Sequence, residues 1–171
     1  MTKSHRAAPG LIEQIRAPRI HYAFVCFDKH GKVKWEADFY NLVTTQGKNY
    51  LLQTGAATAI AKYCGLIDGA TAPTLAAADT LAAHAGWTEI TGYSNAARPT
   101  LAWAAASGGS IATSAAVAFN INATGTIAGA FTADNATIGG TTGNLYSEGT
   151  FSANKTVASG DTLNVSLTFS V

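Results

Sequence analysis

From residue 87 onward the sequence is a succession of short β patterns divided by turn residues, and this spacing limits the fold more than any other feature. Segments 87–93, 99–104, 115–121, 126–132, 145–152 and 162–171 are apolar or alternating, and Gly, Ser, Thr and Asn fill the gaps between them. Short strands at such regular intervals point to a sandwich or barrel. The last segment is the cleanest. Leu163, Val165, Leu167, Phe169 and Val171 alternate with Asn164, Ser166, Thr168 and Ser170, the period-two signature of a strand with one face in a core.

The first half adds to the same pattern. Residues 20–27 form a nearly continuous apolar and aromatic run, and Asp28-Lys29-His30-Gly31-Lys32 supplies turn chemistry. Val33, Trp35, Ala37 and Phe39 then alternate with Lys34, Glu36, Asp38 and Tyr40, so 20–40 reads as a β-hairpin. Residues 46–54 are expected to form a short helix, with Thr44 or Thr45 as cap and Gly55 at its end. Residues 61–67 read as a central strand, and the alanine-rich stretch 76–85 as one or two helical turns. About eight strands and two minor helices predict a mainly β chain folded as an antiparallel, jelly-roll-like β-sandwich over 20–171. Residues 1–19, with two prolines, one glycine and several basic residues, read as an extended N-terminal arm.

Charged residues make up only 12% of the chain, about half the share of an average soluble domain. Small uncharged surfaces of this kind suit packing against copies of the same chain or a large partner. The charge is also uneven, with a net +4 over residues 1–50 and −3 over 51–171. That falls short of the dense basic stripe of a nucleic-acid footprint, so no nucleic-acid partner is expected. No apolar run approaches the ~18 residues of a membrane span, and the polar, basic start has no leader pattern, so a soluble protein made in a cytosol is expected, with no membrane partner. On that expectation the Asn-x-Ser/Thr triplets at Asn122, Asn135, Asn154 and Asn164 are chance products of an Asn/Thr-rich chain. Cys26 and Cys64 sit in apolar runs and read as small buried hydrophobes.

Chemistry-bearing patterns are sparse. His5, His21, His30 and His84 show no metal-ligand spacing, so neither metal nor cofactor is called for, and His84 reads as a packed or turn-stabilising residue. Gly139-Gly140-Thr141-Thr142-Gly143 lacks the lysine of a phosphate loop and precedes a β pattern, which makes it a loop between strands. With only Asp134, Glu148 and Asp161 carrying negative charge beyond Arg98, little material remains for a paired-carboxylate site. No catalytic residues are assigned, and enzyme activity is not expected. Trp35, Trp87, Trp103 and the tyrosines are assigned to core packing, with a sugar-binding face as the alternative.

Three stretches carry a resemblance: Asn41-Leu42-Val43-Thr44-Thr45-Gln46-Gly47-Lys48-Asn49-Tyr50-Leu51-Leu52; Ala77-Ala78-Asp79-Thr80-Leu81-Ala82-Ala83-His84-Ala85-Gly86-Trp87-Thr88-Glu89-Ile90, followed by Tyr93-Ser94 and Arg98-Pro99; and Ile138-Gly139-Gly140-Thr141-Thr142-Gly143-Asn144-Leu145-Tyr146, followed by Gly160-Asp161-Thr162-Leu163-Asn164-Val165. In this order they resemble a family of small virion proteins of tailed bacteriophages, labelled head-decoration, head-fibre or tail-associated. The resemblance spans about residues 30–171 and implies a structural role in the virion with no catalytic residues to carry over. The partners it implies are the major capsid protein or other virion proteins, and the chain itself as a homo-oligomer, a trimer being the expectation at a local threefold. A tail, neck or fibre component touching host glycans, for example through the loop 134–144, is the alternative. The arm lies outside the resemblance, and Arg6, Leu11, Ile12, Ile15, Arg16 and Arg19 are its candidate subunit contacts.

Overall fold

The computed structural model describes residues 19–44, 46–47, 62–105 and 110–170. Among these residues nine strands appear in order: β1 Arg19–Phe27, β2 Val33–Tyr40, β3 Leu42–Val43, β4 Tyr63–Asp68, β5 Ser110–Ala112, β6 Val117–Asn120, β7 Gly125–Ala133, β8 Leu145–Val157 and β9 Thr162–Ser170. They form two antiparallel sheets. One runs β2-β1-β9-β5, with β6 also on β9; the other runs β3-β8-β7-β4. The expected β-sandwich is present.

The predicted hairpin is β1–β2, with Phe24 opposite Ala37 and Tyr22 opposite Phe39. Its turn bonds Gly31 N–H to the Asp28 carbonyl at 3.0 Å, and Gly31 takes φ +80°, which suits a residue without Cβ. Alternation in β9 also holds: Leu163, Val165, Leu167 and Phe169 are buried. β9 lies at the centre of its sheet, with β1 along one edge. On its other edge, β6 pairs with its first half and β5 with its last three residues.

The main core lies between the sheets. Ile20, Tyr22, Phe24 and Cys26 of β1 meet Leu66, Ile127, Ala130, Tyr146 and Phe151 of the opposite sheet. The two sheets are also joined by hydrogen bonds: the Tyr22 hydroxyl lies 2.7 Å from Ser147 Oγ, which lies 2.7 Å from Thr132 Oγ1, all three buried. Satisfied in this way, three buried hydroxyls fix the sheets' alignment rather than destabilising the core. Phe39 lies flat on β8 because position 149 is glycine; a Cβ there would stand 2.4 Å from the Phe39 ring.

Two expectations fail in the segment 69–104. The stretch 76–85 is a run of tight turns with a Thr80–Ala83 bridge, not a helix. Alanine is the best helix former, but propensity is a small term that local bonds override, and here Asp79 Oδ2 accepts the Ala76 N–H (3.0 Å) and Thr80 Oγ1 accepts the Ala83 N–H (3.0 Å), bonds that compete with a helical ladder. The segments 87–93 and 99–104 are not sheet strands either. They lace one open side of the sandwich by touching each sheet in turn. Thr88 and Ile90 bond Asp68 and Leu66 of β4; Ser94 and Asn95 bond Asn120 and Ala118 of β6; Pro99 and Leu101 return to Cys64 and Lys62; Ala104 then bonds Ala112 of β5. The free edges of β4, β5 and β6 are thereby covered. The expected helix 46–54 lies outside the described residues except for Gln46 and Gly47, which have helical backbone.

β2 ends the other sheet. Its register with β1 slips between Cys26 and Phe27, leaving Lys34 as the extra, bulged residue. Lys34 Nζ turns to the buried Asp161 carboxylate at 2.5 Å. A bulge and an inward-turned charge are devices that blunt a sheet edge against pairing with another chain.

Candidate functional site

Two surfaces merit comparison as sites: the cover over the outer face of β7–β8, which contains the 77–90 stretch, and the bare outer face of β1–β2–β9.

The cover has its own small core. Leu81 and Trp87 pack on Ile67, Ala128, Phe131, Ala133 and Leu145. It is pinned by two polar anchors. In the first, Arg98 Nε and Nη2 donate to the two oxygens of Glu89 at 2.9 and 2.7 Å. Both side chains are almost wholly buried, at 2% and 6% exposed. Arg98 also donates to the carbonyls of Asn135 (2.9 Å) and Gly140 (3.1 Å), and its guanidinium lies 5.0 Å from the centre of the Phe131 ring. Glu89 in turn accepts the Gly139 N–H at 2.7 Å and the Tyr93 hydroxyl at 3.4 Å. Burying this pair is tolerable because the fork is bidentate and the remaining donors and acceptors are matched. Gly65 makes room for it: a Cβ there would meet the Phe131 ring at 2.3 Å. The outcome is that loop 134–144 is held on the scaffold. Asp134 fixes its far end by accepting Asn144 N–H (2.7 Å) and Nδ2 (2.8 Å).

In the second anchor, the Trp87 indole N–H donates to Glu148 Oε2 at 2.8 Å, while Glu148 Oε1 has no hydrogen-bond partner. Glu148 is fully buried, and burial together with the neighbouring Asp79 carboxylate pushes its pKa up to about 8. This carboxyl therefore holds its proton near neutral pH. His84 completes the arrangement, its ring stacked 3.9 Å from Trp87 and its Nδ1 3.0 Å from the Trp87 carbonyl, a packed residue as the sequence indicates. Sequence reasoning missed the Asp79–Glu148 pairing, since sixty-nine positions separate the two and no local pattern links them. Chemically the pair resembles a general-acid arrangement, but no substrate atom can reach a group sealed beneath Trp87. Cys26 and Cys64 are free and buried, and desolvation raises both thiols, Cys26 to about 11, so neither is a ready nucleophile. Among the described residues no three His, Cys, Asp or Glu side chains are grouped to hold a metal ion.

The bare face differs. Its solvent side presents His21, Ala23 and Val25 of β1, Glu36, Asp38 and Tyr40 of β2, and Thr162, Asn164, Ser166 and Thr168 of β9. Ala23 opposite Asp38 and Val25 opposite Glu36 leave a shallow groove of about 330 Å³ lined by both acids. At one end His21 Nε2 lies 2.9 Å from Asp38 Oδ2, and the Tyr40 ring, 63% exposed, tilts against His21 at 4.9 Å.

Of the candidate contact residues, Arg6, Leu11, Ile12, Ile15 and Arg16 lie outside the described residues. Arg19 opens β1 opposite Ser170. The chain matches no family model, no characterised protein and no solved structure.

Proposed function

We propose that the chain is a non-enzymatic structural protein of a tailed-phage virion, a decoration or cement protein that binds the outside of the head through the major capsid protein or other virion proteins and through copies of itself. The observation that supports this reading most is the use made of the 77–90 stretch. Asp79, Thr80 and His84 bond within the 76–87 stretch and shape the cover, Trp87 bonds Glu148 of β8, and Glu89 bonds Gly139 of loop 134–144, so each of these polar groups has a structural partner. A laced, double-sheet body with one exposed face made largely of Ser, Thr and Asn suits a protein whose task is to be a rigid plate. Many copies on a symmetric shell add modest contacts through effective concentration. In this reading residues 1–19 reach adjacent subunits.

The test is electron cryo-microscopy of intact particles carrying the full chain or a version lacking residues 1–19. Density on the head lattice, lost on removing 1–19, is the expected result; full occupancy without the arm would sink the arm's role. Density at the neck, tail or fibre tips would move the case to the second reading, a component that touches host glycans. The exposed Tyr40 beside the Glu36–Asp38 groove favours that reading, because an aromatic face next to carboxylates suits a sugar.

A further inference from the structure

We propose that the acidic groove of β1–β2 receives the N-terminal segment, residues 1–18, of a second copy of the chain. This rests on the reading of that segment as an arm and adds the surface it binds.

Charge is the first argument. The groove is lined by Glu36 and Asp38. The nearest lysine along β2, Lys34, is turned away to Asp161, and Asp38 has His21 beside it. Lys29 and Lys32 stand beyond the far end of the groove, in the β1–β2 turn. Residues 1–18 carry Lys3, Arg6 and Arg16 against a single acid, Glu13. A basic, largely uncharged segment is therefore complementary to the part of this face where, among the described side chains, Glu36 and Asp38 form no ion pair with a lysine or arginine. Shape is the second argument. Ala23 and Val25 leave room above the sheet for a side chain laid between the two acids, and a guanidinium can bond a carboxylate through two donors.

The place where the segment joins the body decides between its own groove and a neighbour's. Residues 1–18 lead into Arg19, opposite Ser170, and the groove lies four to six positions further along the same strand. To reach its own groove the segment would have to reverse at once. Ala17 precedes Pro18, a position whose sequence preference is for extended backbone rather than for a reversal. Eighteen residues span up to about 60 Å when extended, enough to cross to an adjacent copy. Such an exchange runs from arm to groove, a head-to-tail contact, which forms a ring where its rotation closes, a trimer at a local threefold among them, and a filament where it does not.

The test uses the full chain and reads self-association by sedimentation equilibrium up to about 1 mM protein, in about 20 mM and about 500 mM salt. The wild type should self-associate, more weakly at high salt. Glu36→Lys with Asp38→Lys should weaken association at least about tenfold, with an unchanged circular-dichroism spectrum and melting temperature. Adding Arg6→Glu and Arg16→Glu to that variant should restore association to within about threefold of wild type. A wild type that stays monomeric, a groove reversal without effect, or no rescue by the arm reversals would each overturn the proposal. So would oligosaccharide binding that is lost in Tyr40→Ala and Glu36→Gln while association is untouched, since it would assign the groove to a sugar. If removing residues 1–19 empties particles while the groove reversal leaves association intact, the arm's role stands and this docking site falls.

Discussion

The outer face of the β3-β8-β7-β4 sheet lies under the chain's own residues 69–98, whereas no described segment lies over the outer face of β2-β1-β9. The two conditions are written differently in sequence. β4 and β7 are buried on both faces and appear as unbroken apolar or small runs such as Cys64-Gly65-Leu66-Ile67 and Ile127-Ala128-Gly129-Ala130-Phe131. β2 is half-buried and β9 buried on one face only, and both alternate. The covered face also gathers the buried ionisable groups Arg98, Glu89, Glu148 and Asp79, while the open face holds Ser, Thr and Asn with two acids at one edge. The covered side has thus become an interior that depends on exact partnering, and the open side tolerates change and remains available for contact.

That contrast can be broken by substitution. The largest effect is expected for Arg98→Ala, which leaves Glu89 buried without its partner and frees loop 134–144. It should cost about 3–5 kcal/mol in urea unfolding, and a loss under about 1 kcal/mol would show that the cover is not anchored there. Next comes pH. The folded-state pKa of Glu148, about 8, lies above its ordinary 4.5, so the neutral form is favoured in the fold. Its contribution to stability is complete below the ordinary value and is lost as pH rises through about 8. Stability should therefore fall by about 2–4 kcal/mol between pH 5 and 9, and Glu148→Gln should flatten that slope. An unchanged slope in the Gln variant would assign the effect to other groups. Trp87→Phe keeps most of the packing but removes the indole hydrogen bond to Glu148, with an expected cost of about 1–3 kcal/mol at pH 6. On the open face, Asn164→Ala and Ser166→Ala should stay within about 0.5 kcal/mol of wild type. A larger loss at either would mean that this face is less free than its exposure indicates.

The same division explains what could be read in advance. The hairpin and β9 were legible because half-burial writes a period of two into the residues themselves, as Val33–Tyr40 and Thr162–Ser170 show. The cover was not. Its alanines suggest helix locally, but its shape is set by side-chain bonds from Asp79, Thr80 and His84 and by packing on Phe131, none of which leaves a periodic trace. The zigzag of 88–104 between the sheets likewise reads as two ordinary strands, because each short contact has β backbone and only the partner alternates. The Arg98–Glu89 clasp lies nine residues apart and carries no motif, and the groove arises from the smallness of Ala23 and Val25 across from two acids, a property of register rather than of spacing.

The central position of β9 matters during synthesis. β1 needs β9 as its neighbour, yet Phe27 leaves the ribosome about 135 residues before Thr162, a wait of roughly 7–27 seconds at bacterial or eukaryotic elongation rates. Throughout that interval the hairpin stands alone with Tyr22, Phe24 and Phe39 on one side and no strand beside β1. Nascent chains on a crowded message would present the same sticky ribbon side by side. The slipped register at Lys34 then acts as a guard before there is any fold to guard, keeping unfinished copies from zipping together along β2 until the missing strand arrives.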